Sequence, residues 1–99
     1  MPHKVVWSQT AGEHIEALFD YLAEHASLWD ANQLCQRLVL STERLAEFPR
    51  LYEAAPQYGE GVRRLSLAGQ HVLYEVNDAA RTVTVLAVVG QRQNPRAIR

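Results

Sequence analysis

The sequence predicts an α+β domain of order β-α-α-β-β-β, a helical hairpin packed on a largely antiparallel sheet. Three observations predict it. Apolar residues recur at three- and four-residue steps through two consecutive segments of the first half. Three runs rich in β-branched and aromatic residues, separated by short turn sequences, fill most of the second half. A further short run of the same kind opens the chain. With 99 residues, of which 47% are hydrophobic, there is material for one core, so residues 1–99 are read as a single domain.

The opening strand is HKVVW, residues 3–7, and the sequence does not fix which strand it joins. Ser8 or Thr10 then offers a side-chain oxygen as a helix cap. Ala11, Ile15, Leu18, Phe19 and Leu22 form the apolar stripe of a first helix that ends near His25. Glu13, Glu16, Asp20 and Glu24 lie off that stripe and read as a solvated side. Ser27 or Asp30 caps a second helix, whose apolar face is Ala31, Leu34, Cys35, Leu38, Leu45 and Phe48. Pro49 ends it, because proline disfavours a helical conformation in the residue before it. So short a connection makes the two helices antiparallel neighbours. Residues 49–61 (PRLYEAAPQYGEG) read as a loop. Strands are expected at 62–67, 70–76 and 82–89, joined by the tight turn Ala68-Gly69 and by a turn over 77–80. The last strand, TVTVLAVV, is nearly all apolar, which predicts a central place or burial on both faces.

Several chemistries are excluded or unsupported. The single cysteine, Cys35, cannot form an internal disulfide, and its spacing predicts a small buried hydrophobe. There is no glycine-rich phosphate loop, no zinc-binding His-Glu helix and no nucleophile elbow. His14 and His25 lie about three turns apart on one helix, too far to share an ion, and both read as surface residues. No metal and no cofactor is expected. The run Val5-Val6-Trp7 is too short for a signal peptide or membrane span, so a cytoplasmic protein with no membrane association is expected.

The net charge of −1 conceals a split. Residues 1–60 hold Lys4, Arg37, Arg44 and Arg50 against nine carboxylates, a net of −5. Residues 61–99 hold six arginines against Glu75 and Asp78, a net of +4. Such a basic half suits an acidic partner or a polyanion, and charge alone does not choose between them. A sequence pI of 6.4 argues against a general nucleic-acid binder. Arg63 and Arg64 begin one strand, His71 lies on the next, and Arg92 follows the last. Alternate side chains point to opposite faces, so only one of Arg63 and Arg64 can share a face with His71.

The order and spacing of the pieces resemble the RelE/ParE superfamily of toxins from bacterial type II toxin–antitoxin systems. The pieces are V-V-W-S, the helix E-H-I-E-A-L-F-D-Y-L-A-E, the helix end L-A-E-F-P, V-R-R-L-S-L, G-Q-H-V-L-Y-E-V and V-L-A-V-V-G-Q-R-Q. They span nearly the whole chain. The resemblance implies a growth-arresting toxin neutralised by a cognate antitoxin in a hetero-oligomer. RelE-like members cut messenger RNA in the ribosomal A site, and ParE-like members poison DNA gyrase. If the chain is a nuclease, Arg64, His71 and Arg92 stand at basic or catalytic positions, with Val62 and Ile98 where the RelE pattern has a basic residue and a tyrosine. An arginine is a poor base, and His71 would have to move protons. The long hairpin and the acidic first half favour the ParE-like reading, with the ribosome-dependent nuclease as the alternative. A non-toxic interaction module is a further alternative; no helix carries the basic face of a DNA-groove reader. The resemblance also suggests a use for the tail. Antitoxin segments fold over such toxins, as a helix in an apolar groove or as an added strand. Arg63, Arg64, Arg92, Gln93, Arg96 and Arg99 are the expected contacts for antitoxin or target.

Overall fold

A computed structural model describes residues 2–91 of the chain. Arg92, Gln93, Arg96, Ile98 and Arg99 therefore lie outside the described residues. Five strands and two helices follow one another as β1 (Lys4–Trp7), α1 (Gln9–His25), α2 (Leu28–Glu43), β2 (Glu53–Ala54), β3 (Val62–Leu67), β4 (Gln70–Asn77) and β5 (Thr82–Gly90). Ser8 is the cap of α1, and its hydroxyl accepts the Ala11 N–H at 3.0 Å. Ser27 caps α2 in the same way, accepting the Asp30 N–H at 3.0 Å.

The sheet order is β1-β5-β4-β3-β2. β1 runs parallel to β5, with Lys4 opposite Thr82 and Trp7 opposite Val85. The remaining pairs are antiparallel. The hairpin covers one face, as expected, and β5 is an interior strand, between β1 and β4. The β3–β4 turn takes positive φ at both Ala68 (50°) and Gly69 (80°), the two-residue geometry whose twist matches that of its strands. β2 is a strand that the loop reading of 49–61 missed. It is two residues long, too short for an alternating pattern to show, and a short helical turn at Pro56–Tyr58 follows it.

The main core lies between hairpin and sheet. Leu38 and Leu45 meet Leu65, Val72, Tyr74, Val83 and Val85 there. Each fully buried side chain of this size contributes roughly 1.5–3 kcal/mol. A smaller cluster, Val62, Leu73, Ala87 and Val89, packs on the opposite face with Tyr58 and Leu86.

The switch between the faces occurs at one point of β5. Leu73 pairs with Ala87 but Tyr74 pairs with Val85, so Leu86 is an extra residue and forms a β-bulge. The start of α1 clamps it. The Ser8 N–H donates to the Val85 carbonyl at 2.9 Å, and the Ser8 hydroxyl donates to the Leu86 carbonyl at 3.1 Å. The Val88 N–H donates to His14 Nδ1 at 3.1 Å. His14 is thus half-buried and structural, not the surface residue expected, because the bulge leaves a backbone donor with no strand partner.

Two other expectations change. Cys35 is half-buried and faces an outward groove, since the buried positions of α2 are Ala31, Leu38 and Thr42 and Cys35 sits at their margin. Phe48 is 59% exposed. The helix tightens into a 3₁₀ turn at Arg44–Ala46, which breaks the periodicity that would have brought Phe48 inward.

Asp78, in the β4–β5 turn, ties the chain start to the loop after α2. Arg50 gives it two hydrogen bonds, at 3.1 and 2.7 Å, and His3 Nε2 lies 3.1 Å from its Oδ1. These bonds lower its pKa from 3.8 to about 2. A depressed carboxylate stabilises the fold above its unfolded pKa and ceases to do so as pH falls through the folded value. The urea midpoint should therefore drop between about pH 4 and about pH 2, and Asp78→Asn should flatten that drop while lowering the midpoint at neutral pH. Replacing His14 by Ala orphans the Val88 N–H and should cost about 1–3 kcal/mol in urea unfolding. His14→Gln, which retains an acceptor, should recover part of the loss.

Candidate functional site

Strand pairing places the predicted site residues on definite faces. Arg64 stands opposite Leu73, and Ser66 opposite His71. Both pairs belong to the sheet face away from the helices, beside Val89, which pairs with His71. Arg63 points to the helix side, opposite Tyr74. Its guanidinium donates to the Tyr52 carbonyl at 2.7 Å, and the Tyr52 N–H reaches the Tyr74 hydroxyl at 3.4 Å. Arg63 therefore clips the loop onto the sheet, and Arg64 is the arginine that shares a face with His71. Tyr74 is fully buried, and burial pushes its hydroxyl pKa up.

Three neighbours of this pair were not singled out from the sequence. Glu53, on β2, stands opposite Arg64 and accepts a hydrogen bond from its Nη2. That bond holds the Glu53 carboxyl below the usual carboxylate range. The Arg64 side chain is 23% exposed, and its Nε is buried with no acceptor. Ser66 Oγ lies 2.8 Å from His71 Nδ1. The Tyr58 ring meets the His71 ring edge-on, with centroids 6.3 Å apart. His71 is only 9% exposed, and burial, followed by the Arg64 charge, lowers its pKa. Both influences favour the neutral imidazole, and the Glu53 carboxylate opposes them. Alternation about the Ala68-Gly69 turn was the signal that could have found the Ser66–His71 pair; nothing in the sequence announced β2 or Glu53.

Beyond Tyr58 the same face holds an apolar depression of about 360 Å³. Val62, Leu73, Leu86 and Ala87 form its floor, and Ser8 and Thr10 lie at its edge. On the other side of the molecule, α1 and α2 enclose a groove of about 610 Å³ lined by Ile15, Phe19, Cys35, Val39 and Leu40, with Glu16, Asn32 and Gln36 around it. Val39 and Leu40 are exposed there, as are Leu28 and Trp29 towards the hairpin tip. Burial raises the Cys35 thiol pKa, which keeps it a thiol rather than a reactive thiolate. Among the described residues no group of three or more His, Cys, Asp or Glu is placed to hold a metal ion, and no helix is long and apolar enough to cross a membrane.

Two helices packed on an open, mixed sheet of five strands give this chain the α+β fold of the RelE/ParE toxins. Residues 5–95 match the family described as the ParE toxin of type II toxin–antitoxin system, parDE, and the chain belongs to that family. It is 29% identical over 94 residues to Toxin ParE1 of Mycobacterium tuberculosis, covering 95% of each chain. The fold is similar to a chain in the chromosomal ParDE system from P. aeruginosa, with TM-score 0.77 and 18% identity over 89% of this chain and 95% of that one. It is also similar to a chain of the RelBE2 toxin–antitoxin complex from Mycobacterium tuberculosis, with TM-score 0.70 and 18% identity over 92% of this chain and 100% of that one.

An NMR titration of the His71 ring should give a midpoint below 6.5. Because the fold favours the neutral ring, stability from this group is complete above the unfolded pKa and declines as pH falls from 6.5 towards the folded value. Glu53→Gln should move the midpoint further down, since the Glu53 carboxylate is the group that supports a protonated ring.

Proposed function

We propose that the protein arrests growth by inhibiting DNA gyrase, as ParE-like toxins do, and that a cognate antitoxin holds it inactive in a hetero-oligomer. The observation that carries this reading is the Glu53 carboxylate seated on Arg64, the arginine that shares a face with the buried His71. Cutting RNA through its 2′-hydroxyl needs free positive charge on the phosphate and a group positioned to take a proton. Here the guanidinium on the His71 face already holds a carboxylate, which is the group a protein partner would offer in its place. Membership of the ParE family supports the same target. The groove between α1 and α2, with its open apolar floor, is the proposed seat of an antitoxin helix. Arg64, with Arg92, Gln93, Arg96 and Arg99, is the proposed contact set for antitoxin or target, while Arg63 serves the fold. The protein acts in the cytoplasm, where its target lies.

One observation favours a second reading. Arg64 and His71 share a face with Ser66, so a ribosome-dependent messenger RNA endonuclease built on Arg64, His71 and Arg92 is the alternative. The two readings separate in vitro. Purified protein added to gyrase and relaxed plasmid should block supercoiling and trap linear DNA, and programmed ribosomes should keep their message intact. Normal supercoiling at excess protein, together with A-site cuts in the message, would replace the first reading by the second.

A further inference from the structure

We propose that the sheet face opposite the helices is a peptide-binding seat: a partner segment places an apolar side chain in the depression beside Tyr58 and a carboxylate on Arg64, displacing Glu53. The inference rests on the reading of the protein as a toxin held by a partner protein and adds the chemistry of one contact.

Arg64 carries the argument. Glu53 occupies its Nη2, while Nε is buried and has no acceptor. A guanidinium binds a carboxylate best through two parallel N–H donors, and Glu53 uses one of its nitrogens. An incoming carboxylate that spans Nε and Nη2 makes two charge-assisted bonds where Glu53 makes one. Releasing Glu53 costs little, because its side chain is 64% exposed on a two-residue edge strand and regains water when it leaves. Glu53 is in effect a stand-in for the ligand.

The surroundings select the kind of ligand. Leu73 lies opposite Arg64 and also floors the apolar depression, and Tyr58 joins that depression to His71. An acidic residue and an apolar residue a short step apart on one extended segment would reach both. A polynucleotide fits poorly. It brings a charge with every nucleotide to a face where Glu75, opposite Val62, is exposed and where His71 favours its neutral form. A partner carboxylate at Arg64 adds one negative charge, with Glu53 turned back to water on its edge strand.

The test uses a phage-displayed library of random dodecapeptides panned on the full-length protein, followed by fluorescence polarisation of the enriched peptides. The enriched sequences should share an Asp or Glu near an aliphatic or aromatic residue. Arg64→Ala should weaken them at least about tenfold, Arg64→Lys should weaken them less, and Glu53→Gln should tighten them about threefold or more. Circular dichroism melting checks that each variant is folded, and Leu73→Ala provides a second perturbation through the apolar half of the seat. Enrichment without a carboxylate preference, no enrichment at all, or peptide affinity indifferent to Arg64→Ala in a folded variant overturns the proposal. So does tighter binding of a single-stranded RNA dodecamer that the peptides compete away. Growth arrest is scored separately. Loss of peptide binding with arrest intact supports the seat as a site of neutralisation, whereas no arrest by the wild type rejects the toxin reading and leaves the peptide result to stand alone.

Discussion

Leu86 has no partner on β4, so β5 presents Val83 and Val85 to the helices but Ala87 and Val89 to the opposite face. An unbroken alternation would have put Ala87 and Val89 with Val83 and Val85 under the hairpin and turned Val88 to the other face in their place. The bulge is held because the first turn of α1 supplies what the strand pair cannot. Ser8 takes part in four hydrogen bonds, as helix cap, as backbone donor, as hydroxyl donor and as carbonyl acceptor for the Gly12 N–H, and His14 receives the Val88 N–H. Burying those backbone groups unpaired would cost more than the bulge gains. Helix start, strand irregularity and outer-face floor are thus one construction.

On that floor the electrostatics are balanced at short range. The second half of the chain carries a net positive charge, yet the cation beside His71 is neutralised by a carboxylate from the first half. Sequence charge counts therefore overstate the field that a ligand meets at this spot. His71 favours its neutral form because burial and Arg64 act in the same direction, with Glu53 the weaker opposing influence. The helical side is different in character, an open apolar groove with a carboxylate and two amides around it. The two faces are suited to different parts of a partner.

The helices and the three long strands were legible because their apolar spacing extends over enough residues to exceed chance. The strands at 62–67 and the turn at Ala68-Gly69 fell where alternation and turn chemistry placed them. β1 was legible as a strand but not as the parallel neighbour of β5, since pairing across the whole chain leaves no local mark. β2 escaped because two residues carry no periodicity, and Glu53 escaped with it. His14 looked like a surface residue because its role is set by a backbone N–H 74 positions away. Arg64 was separated from Arg63 by strand alternation in principle, and only the register decided which of them faces His71.

The parallel pairing of β1 with β5 carries a consequence for synthesis. Lys4 waits for Thr82, and β5, which lies between β1 and β4, is the last of the described strands to leave the ribosome. Closing so long a loop is entropically slow, and its reward comes only when the final strand arrives. Until then neither face of the sheet is complete. A nascent chain of this design closes its sheet in one late step, when β5 pairs with β1 on one side and β4 on the other.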